Sequence, residues 1–295
     1  MKITFKPYNR EFEREVDRLF EASVEGESLR NIFKSTMSTI SYVALIDDQL
    51  IGLLLAWENP FHPEGTYFRI LTEPEYTTDR MKKSLFYKIR EEADRGQPFI
   101  TSVVETAISS RDFYEKNGFK EIRRTYMPTL VVGEIVDSLE AKELKENKLK
   151  TLADILHEEN KFTQLTQLVK ENYEASHYVN PVKDMSLEEW KDIMVTDDIL
   201  TDGSFILFNE SGEVIAYSFL HQSENNDTYE LGWCGGASID RTGSLPYLVG
   251  RQINYARERD VQYILGEFDT TDPFGMEVMR TFTFKPFPAW ITYKG

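Results

Sequence analysis

The sequence has little of what disulfide-bonded and metal-binding proteins need. Its single cysteine, Cys234, excludes an intrachain disulfide and fits a reducing compartment. The four histidines are scattered, without the spacing that metal ligands require. We therefore expect a cytoplasmic protein that has neither a structural nor a catalytic metal ion.

Long apolar runs and an excess of positive charge are also absent. No apolar stretch approaches the roughly 20 residues that span a bilayer, and the N-terminal residues turn polar without forming a signal-peptide core. Lys and Arg number 34 against 50 Asp and Glu, so the formal net charge is −16. Nucleic-acid binding depends on neutralising phosphates with cationic side chains. We expect neither a membrane nor nucleic acid as a partner, whereas a small-molecule or peptide amine suits an acidic surface.

The length of the chain suits two domains, and a weak internal repeat supports that division. The 295 residues are enough for two domains of roughly 150 residues each. Ile215 follows Ile51 by 164 residues and Phe284 follows Phe119 by 165, so two distant landmarks keep nearly the same offset. The predicted domains are 1–138 and 151–295, joined by a charged linker at 139–150. The oligomeric state stays open, a homodimer included.

The same order of elements recurs in both halves. A strand pair, a third strand, an amphipathic helix, a buried strand and a short helix follow one another in each half. A first strand at Lys2–Tyr8 has no convincing counterpart before Phe162, because Leu152–Glu159 has a helical pattern. The pattern predicts an α/β fold with mixed sheets flanked by helices. The other predicted strands are Tyr42–Ile46, Leu50–Trp57, Thr66–Thr72 and Phe99–Val104, then Phe205–Phe208, Val214–Leu220, Thr228–Gly236 and Tyr263–Phe268.

The most informative stretch is residues 111–119, which read Arg-Asp-Phe-Tyr-Glu-Lys-Asn-Gly-Phe. Ser109 or Ser110 is expected to cap a short helix, which ends where Gly118 supplies a left-handed residue. Phe119 can then fold back onto Phe113 or Tyr114. This local geometry fixes the direction of Tyr114. A tyrosine so placed has either a chemical role or only packs a helix against a sheet.

The stretch resembles the signature of the GNAT acetyltransferases, whose members often carry FYEKxGF. That resemblance implies that Tyr114 faces the sulfur of coenzyme A and protonates the departing thiolate. The order of elements is also that of a GNAT domain. The chain therefore resembles a tandem GNAT protein, with two GNAT-like acyl-CoA N-acyltransferase domains, of which the second is degenerate.

In this family a loop Q/R-x-x-G-x-G/A before a helix holds the pyrophosphate of acetyl-CoA. A helix start presents unpaired N–H donors, and glycines allow close backbone approach. In the first half both glycine positions hold cationic residues, which leaves open whether side-chain charge replaces the backbone cradle or binding is lost. The resemblance also implies that N–H groups of the fourth strand polarise the acetyl carbonyl. The loop residues are Thr77, Thr78, Asp79, Arg80, Met81 and Lys82, and the strand residues are Ile70, Leu71 and Thr72.

The second half carries the corresponding loop, with a glutamate on the strand before it. The loop residues are Arg241, Thr242, Gly243 and Ser244, which form either an anion-binding nest or an ordinary turn. Glu230 lies 11 residues before Arg241, where some GNAT members carry a general base, and a solvent-facing glutamate is the alternative. Met279 occupies the position of Tyr114 and cannot donate a proton.

The leading hypothesis is an acetyl-CoA-dependent N-acetyltransferase in which a primary amine attacks the thioester directly. Acetyl-CoA is the cosubstrate, Tyr114 is the acid, and Glu58 or water is the base in the first half. The alternative is a catalytically inactive acyl-CoA-binding or assembly protein of the same fold. A relative of the tandem-GNAT aminoacyl transferases of cell-wall synthesis is a third reading, which the acidic surface disfavours. The sequence contains no recognisable code for the acceptor.

Overall fold

A computed structural model of the protein describes residues 2–23, 25–93, 96–135, 148–238 and 243–295. These residues form an α/β protein with two mixed β-sheets, as predicted. The contacts within the chain divide it into two compact units. Unit 1 consists of Met1–Ile122, Val179–Lys183 and Ile291–Gly295, and unit 2 consists of Arg123–Tyr178 and Asp184–Trp290.

The strands follow the predicted order, with additional short ones. They are β1 Ile3–Pro7, β2 Ser38–Ile46, β3 Gln49–Glu58, β4 Thr66–Thr72, β5 Phe99–Val104, β6 Lys120–Tyr126, β7 Thr129–Val131, β8 Lys148–Thr151, β9 Phe205–Phe208, β10 Val214–Gln222, β11 Thr228–Gly236, β12 Tyr263–Leu265, β13 Phe268–Asp269 and β14 Trp290–Lys294. The stretch Tyr263–Phe268, predicted as one strand, is interrupted at Gly266. A Cβ at Gly266 would lie 2.4 Å from the ring of Phe268, so the chain bends there where a side chain would clash.

The helices repeat with a constant offset. They are α1 Glu13–Glu21, α2 Gly26–Lys34, α3 Asp79–Glu92, α4 Ile108–Lys116, α5 Leu152–Ile155, α6 Glu159–Ser176, α7 Leu187–Met194, α8 Ser244–Arg257 and α9 Pro273–Thr281. Both ends of α8 lie 165 residues after those of α3, and both ends of α9 lie 165 residues after those of α4. The repeat that two sequence landmarks indicated therefore extends to whole helices.

The first sheet has the order β1-β2-β3-β4-β5-β14-β6-β13. Its central strands are buried on both faces. Since successive side chains point to opposite sides of a strand, neighbouring residues pack against different helices. Val43 packs on the side of α1 and α2, whereas Ala44 packs on the side of α3. The hairpin between β2 and β3 turns at Asp47 and Asp48, whose φ angles of 49° and 63° are those of a tight two-residue turn.

The sheet of unit 2 has the order β7-β12-β11-β10-β9-β8. Strand β8 pairs with β9, and it is the strand before Phe162 for which the sequence analysis found no convincing candidate. Residues 148–150 are therefore part of a strand, and their assignment to the linker was wrong. A four-residue edge strand with two lysines carries almost no periodic signal. The rest of the predicted linker, 139–147, lies outside the described residues.

Each unit completes its sheet with a strand from the other half of the sequence. Strand β14 lies between β5 and β6 in unit 1, and Phe99 and Gly295 exchange two backbone N–H···O bonds of 2.9 Å there. Strand β7, from the first half, pairs with β12 in unit 2. The predicted boundaries 1–138 and 151–295 follow chain order and contain no sign of this exchange.

Candidate functional site

In unit 1 the parallel strands β4 and β5 separate to form a fork. They pair at Thr66 with Phe99 and at Tyr67 with Ile100, although β4 continues to Thr72. The gap beyond Tyr67 and Ile100 is called the fork below. Among the described residues, the backbone N–H groups of β4 that face β5 have no strand partner along the fork, so they can donate to a ligand.

Two of the three predicted backbone donors face the fork. The N–H of Glu73 bonds to β3, and the C=O of Phe68 accepts a bond from a β5 side chain. Because alternate residues of a strand direct their backbone groups to opposite neighbours, Ile70 and Thr72 face the fork. Leu71 faces β3 instead.

Tyr114 lies beneath the fork in an aromatic core. Its side chain is 2% exposed, and its ring packs against Phe68, Phe119 and Tyr293 at centroid distances of 5.8, 5.4 and 5.9 Å. The predicted fold-back of Phe119 is confirmed. Gly118 has a φ of +90°, as the predicted helix end requires.

The predicted cap of this helix was wrong. The cap residue is Ala107, so Ser109 and Ser110 lie within the first turn of α4. Their hydroxyls instead accept hydrogen bonds from Nζ of Lys82, at 3.2 and 3.1 Å. The two serines therefore bind a lysine of the neighbouring helix and do not cap their own helix.

The hydroxyl of Tyr114 is a proton donor at neutral pH. Burial raises the pKa of Tyr114 to about 12, although a hydrogen bond with the Thr101 side chain and the charge of Arg69 act in the opposite direction. The Thr101 hydroxyl also donates to the carbonyl of Phe68, at 2.8 Å. The phenol thus lies beside polar groups of both strands where the fork begins.

Arg69 brings charge to the fork from the opposite face of the sheet. Its Nε and Nη2 bind the two carboxylate oxygens of Glu25 at 2.8 and 2.9 Å. Its Nη1 donates to the Phe68 carbonyl at 3.1 Å and lies 3.5 Å from Oγ1 of Thr101. Side chains from both faces therefore meet at Thr101. The sequence analysis missed Thr101, Arg69 and Glu25, and an arginine inside an apolar strand was the available signal.

Lys82 is a buried cation at the predicted pyrophosphate loop. It is 3% exposed, and desolvation lowers its pKa. Its Nζ contacts the two serine hydroxyls at the start of α4 and lies 5.8 Å from the ring of Phe113. The cation therefore lies between the N-terminal ends of α3 and α4, whose first N–H groups lack partners within the helix. Charge and helix ends together favour an anion here.

The rest of the predicted loop begins α3. Thr78 is the N-cap, and its hydroxyl accepts a bond from the N–H of Met81 at 3.3 Å. The hydroxyls of Thr72 and Thr77 are 2.7 Å apart, which ties the loop to the end of β4. Asp79 and Arg80 are exposed. The loop residues thus lie together at the helix start, although only Lys82 turns its charge inward.

Glu58 and Glu230 do not lie in buried positions. Glu58 is exposed at the end of β3, opposite Thr66. Glu230 is exposed on β11 and accepts a hydrogen bond of 2.8 Å from Ser223. In unit 2 the desolvated carboxyls are others. Burial raises the pKa of Glu267, and it raises the pKa of Asp272 to about 6.

Unit 2 contains a second fork with different chemistry. Strands β11 and β12 pair only from Thr228 to Glu230 on the β11 side. Arg241 and Thr242 lie outside the described residues, whereas Gly243 precedes α8 and Ser244 is its first, buried residue. Met279, which packs against the core, stands where unit 1 has Tyr114. Buried carboxyls disfavour an anionic ligand, so the electrostatics favour unit 1 for a phosphorylated one.

Two features are absent from the described part of the chain. No helix within it has the length and apolar character needed to cross a membrane. No three His, Cys, Asp or Glu side chains among the same residues are arranged to hold a metal ion.

Solved structures share this architecture along the entire chain. A GCN5-related N-acetyltransferase from Sphaerobacter thermophilus has a TM-score of 0.66 at 12% identity, over 99% of this chain and 95% of its own. A tandem GNAT protein from the clavulanic acid biosynthesis pathway has a TM-score of 0.60 at 14% identity, over 100% of this chain and 98% of its own. A glucosamine N-acetyltransferase region of a fungal multi-domain β-N-acetylglucosaminidase has a TM-score of 0.68 at 11% identity, where this chain spans 38% of that protein.

These comparisons define the fold. No protein-family model matches the sequence, and no curated protein matches it either. The chain has the GNAT fold in tandem, as the 111–119 signature and the repeat predicted. At identities of 11–14%, the likeness extends to architecture and not to a particular substrate.

Proposed function

We propose that the protein is an acetyl-CoA-dependent N-acetyltransferase that acts on a primary amine, with its active site at the fork of unit 1. The observation that carries the proposal is the protonated Tyr114 hydroxyl beside Thr101, where β4 and β5 separate. Unit 2 has a methionine at the matching position. A buried phenol next to unpaired backbone donors suits acyl transfer from a thioester.

The residues of unit 1 suit acetyl-CoA, which supplies an acetyl group activated as a thioester. Lys82 is buried beside neutral hydroxyls, and a buried cation gains from an anionic partner. Together with the N-terminal end of α3, it would hold the pyrophosphate. Ile70 and Thr72 would donate backbone hydrogen bonds to the acetyl carbonyl, as an oxyanion site does.

The remaining residues manage protons. The amine nitrogen must be neutral when it forms the new C–N bond, so its proton leaves to water or to the exposed Glu58. When the C–S bond breaks, Tyr114 donates a proton to sulfur, and the proton that the newly acylated nitrogen loses returns through water to the phenolate. Its raised pKa keeps the phenol protonated at neutral pH, and its burial excludes bulk water from the same position.

Thiol release and binding test the proposal together. Acetyl-CoA should bind with micromolar affinity, about 8 kcal/mol, and primary amines should release free CoA with an acetylated product seen by mass spectrometry. Tertiary amines of matched size are the control, because they cannot give a stable amide. Binding without turnover across a broad amine panel would support an inactive acyl-CoA-binding protein, and no binding would support an assembly role.

A further inference from the structure

A segment from the second half of the sequence contributes to unit 1. Residues Val179–Lys183 belong to this unit, and three hydrogen bonds hold their backbone. Nζ of Lys294 donates to the Val179 carbonyl at 2.7 Å, and the N–H of Lys183 donates to the Phe61 carbonyl at 2.9 Å. Nδ1 of His62 lies 2.9 Å from the Asn180 carbonyl. The segment is therefore held firmly enough to position a side chain.

Asn180 is that side chain, and only one of the two polar atoms of its amide group has a hydrogen-bond partner among the described residues. The residue is 4% exposed, and its Nδ2 donates to the hydroxyl of Tyr67 at 2.6 Å. Its Oδ1 is buried and has no hydrogen-bond partner among the described residues. Buried carbonyl oxygens are almost always paired, so this oxygen offers a hydrogen-bond acceptor to a molecule that carries a donor.

A row of side chains leads from Asn180 to the fork. Tyr67 is the last residue of β4 that pairs with β5, and its ring stacks on Trp57 at 5.9 Å. The guanidinium of Arg69 lies over the same Trp57 ring at 5.5 Å. Two residues along β4 span about 7 Å. Asn180 therefore lies at one end of this row, and Arg69 and Glu25 lie at the fork end.

We propose that Oδ1 of Asn180 accepts a hydrogen bond from the acceptor substrate and selects primary amines that carry a second N–H or O–H donor. This inference rests on the proposed function, and it names the substrate class of that site. The amine that is acetylated would lie at the fork, and the second donor would lie at Asn180. Amino alcohols are the simplest members of this class.

Matched pairs of amines test the proposal. Amino alcohols of two to five carbons are compared with alkylamines in which a methyl group replaces the hydroxyl, so that size and charge stay equal. We expect at least one amino alcohol to exceed its partner in kcat/KM by about tenfold, the discrimination expected of one buried hydrogen bond. Asn180→Leu should abolish the preference, whereas Asn180→Asp keeps an acceptor oxygen and should retain it. Asn226→Leu, at an exposed asparagine of unit 2, is the control.

Calorimetry separates this inference from the proposed function. The same pairs are titrated into the protein without acetyl-CoA, so that acceptor binding is measured when no acetylation takes place. An amino alcohol that binds about tenfold more tightly than its partner, with the preference lost in folded Asn180→Leu, supports the site even if turnover is absent. Equal binding of every pair to wild type would overturn it and would indicate that a buried water satisfies Oδ1. Acetylation without any preference would leave the proposed function standing and the Asn180 site refuted.

Discussion

Replacement of Tyr114 by phenylalanine isolates one hydroxyl in a packed core. The ring contacts with Phe68, Phe119 and Tyr293 remain, and no cavity larger than one oxygen atom is created. The Thr101 hydroxyl keeps its acceptor, the Phe68 carbonyl at 2.8 Å, so no buried donor is left unpaired. We expect the free energy of unfolding to fall by at most about 1 kcal/mol and the Tm by roughly 2–4 °C.

Catalysis should respond much more strongly. Loss of the general acid should lower kcat by roughly 10²-fold, while the affinity for acetyl-CoA changes little, because the hydroxyl acts once charge develops on sulfur. Free-thiol release under saturating acetyl-CoA and amine measures kcat, and calorimetry measures the affinity. Tyr293→Phe is a matched control, because it removes a hydroxyl that bonds to Glu115 from the same aromatic cluster. Wild-type turnover in folded Tyr114→Phe would refute the assignment of the acid.

The pH dependence gives a second readout of the same residue. The folded-state pKa of about 12 lies above the ordinary value of 10, so the contribution of Tyr114 to stability is complete below pH 10 and is lost as pH rises toward 12. Between pH 10 and 11 the unfolding free energy should therefore fall more in wild type than in Tyr114→Phe. The difference between the two falls should reach up to about 1.4 kcal/mol. Denaturant titrations at each pH measure this difference, and identical slopes for both proteins would contradict the burial of the phenol.

Three further changes are predicted. Lys82→Met should weaken acetyl-CoA binding by roughly tenfold in calorimetry, whereas an acetyl thioester of pantetheine, which lacks the pyrophosphate, should bind as before. Lys83→Met should change the affinity for neither ligand. An equal loss of affinity for both ligands in Lys82→Met would contradict pyrophosphate binding. The pKa of the Asp272 carboxyl is raised from 3.8 to about 6, so wild type should lose up to about 3 kcal/mol of unfolding free energy as pH rises from 4 to 7. Asp272→Asn should remove this pH dependence. Asparagine can still cap α9, so denaturation curves that stay parallel for the two proteins across that range would refute the burial of the carboxyl. Gly118→Ala should destabilise unit 1 by about 1 kcal/mol because the φ of Gly118 is +90°. Gly243→Ala should leave stability unchanged, because the φ of Gly243 is a helical −58°. Equal shifts in Tm for the two variants would contradict the left-handed helix end.

Local patterns predicted much of the fold. The observed bounds of β4, β5 and β11 are the predicted ones, because each strand is rich in β-branched and aromatic residues or is bounded by turn residues. Gly118 ends α4 where predicted, since a left-handed residue is required at that point and only glycine adopts it without strain. These features depend on neighbours within a few residues, and a single sequence contains that information.

Only part of the candidate site could be predicted from the sequence. The position of Tyr114 on its helix follows from the local motif, whereas Thr101, Arg69 and Glu25 come from β5, β4 and the α1–α2 loop. Their meeting depends on where two parallel strands separate, which no local pattern encodes. Burial is equally non-local, and it leaves Glu230 exposed while Asp272 is desolvated.

By itself the sequence determined most of the elements and the repeat, because hydrophobic periodicity and turn chemistry act within a few residues. The tertiary structure alone decided which sheet each terminal strand joins. The alternation of apolar residues in β14 shows that this strand has a buried face. The same pattern would suit any unpaired edge of either sheet, so it does not say which sheet the strand joins. Trp290–Lys294 lies beside β5 and Asn180 bonds to Tyr67, so the composition of unit 1 depends on contacts between residues more than 100 positions apart in the chain.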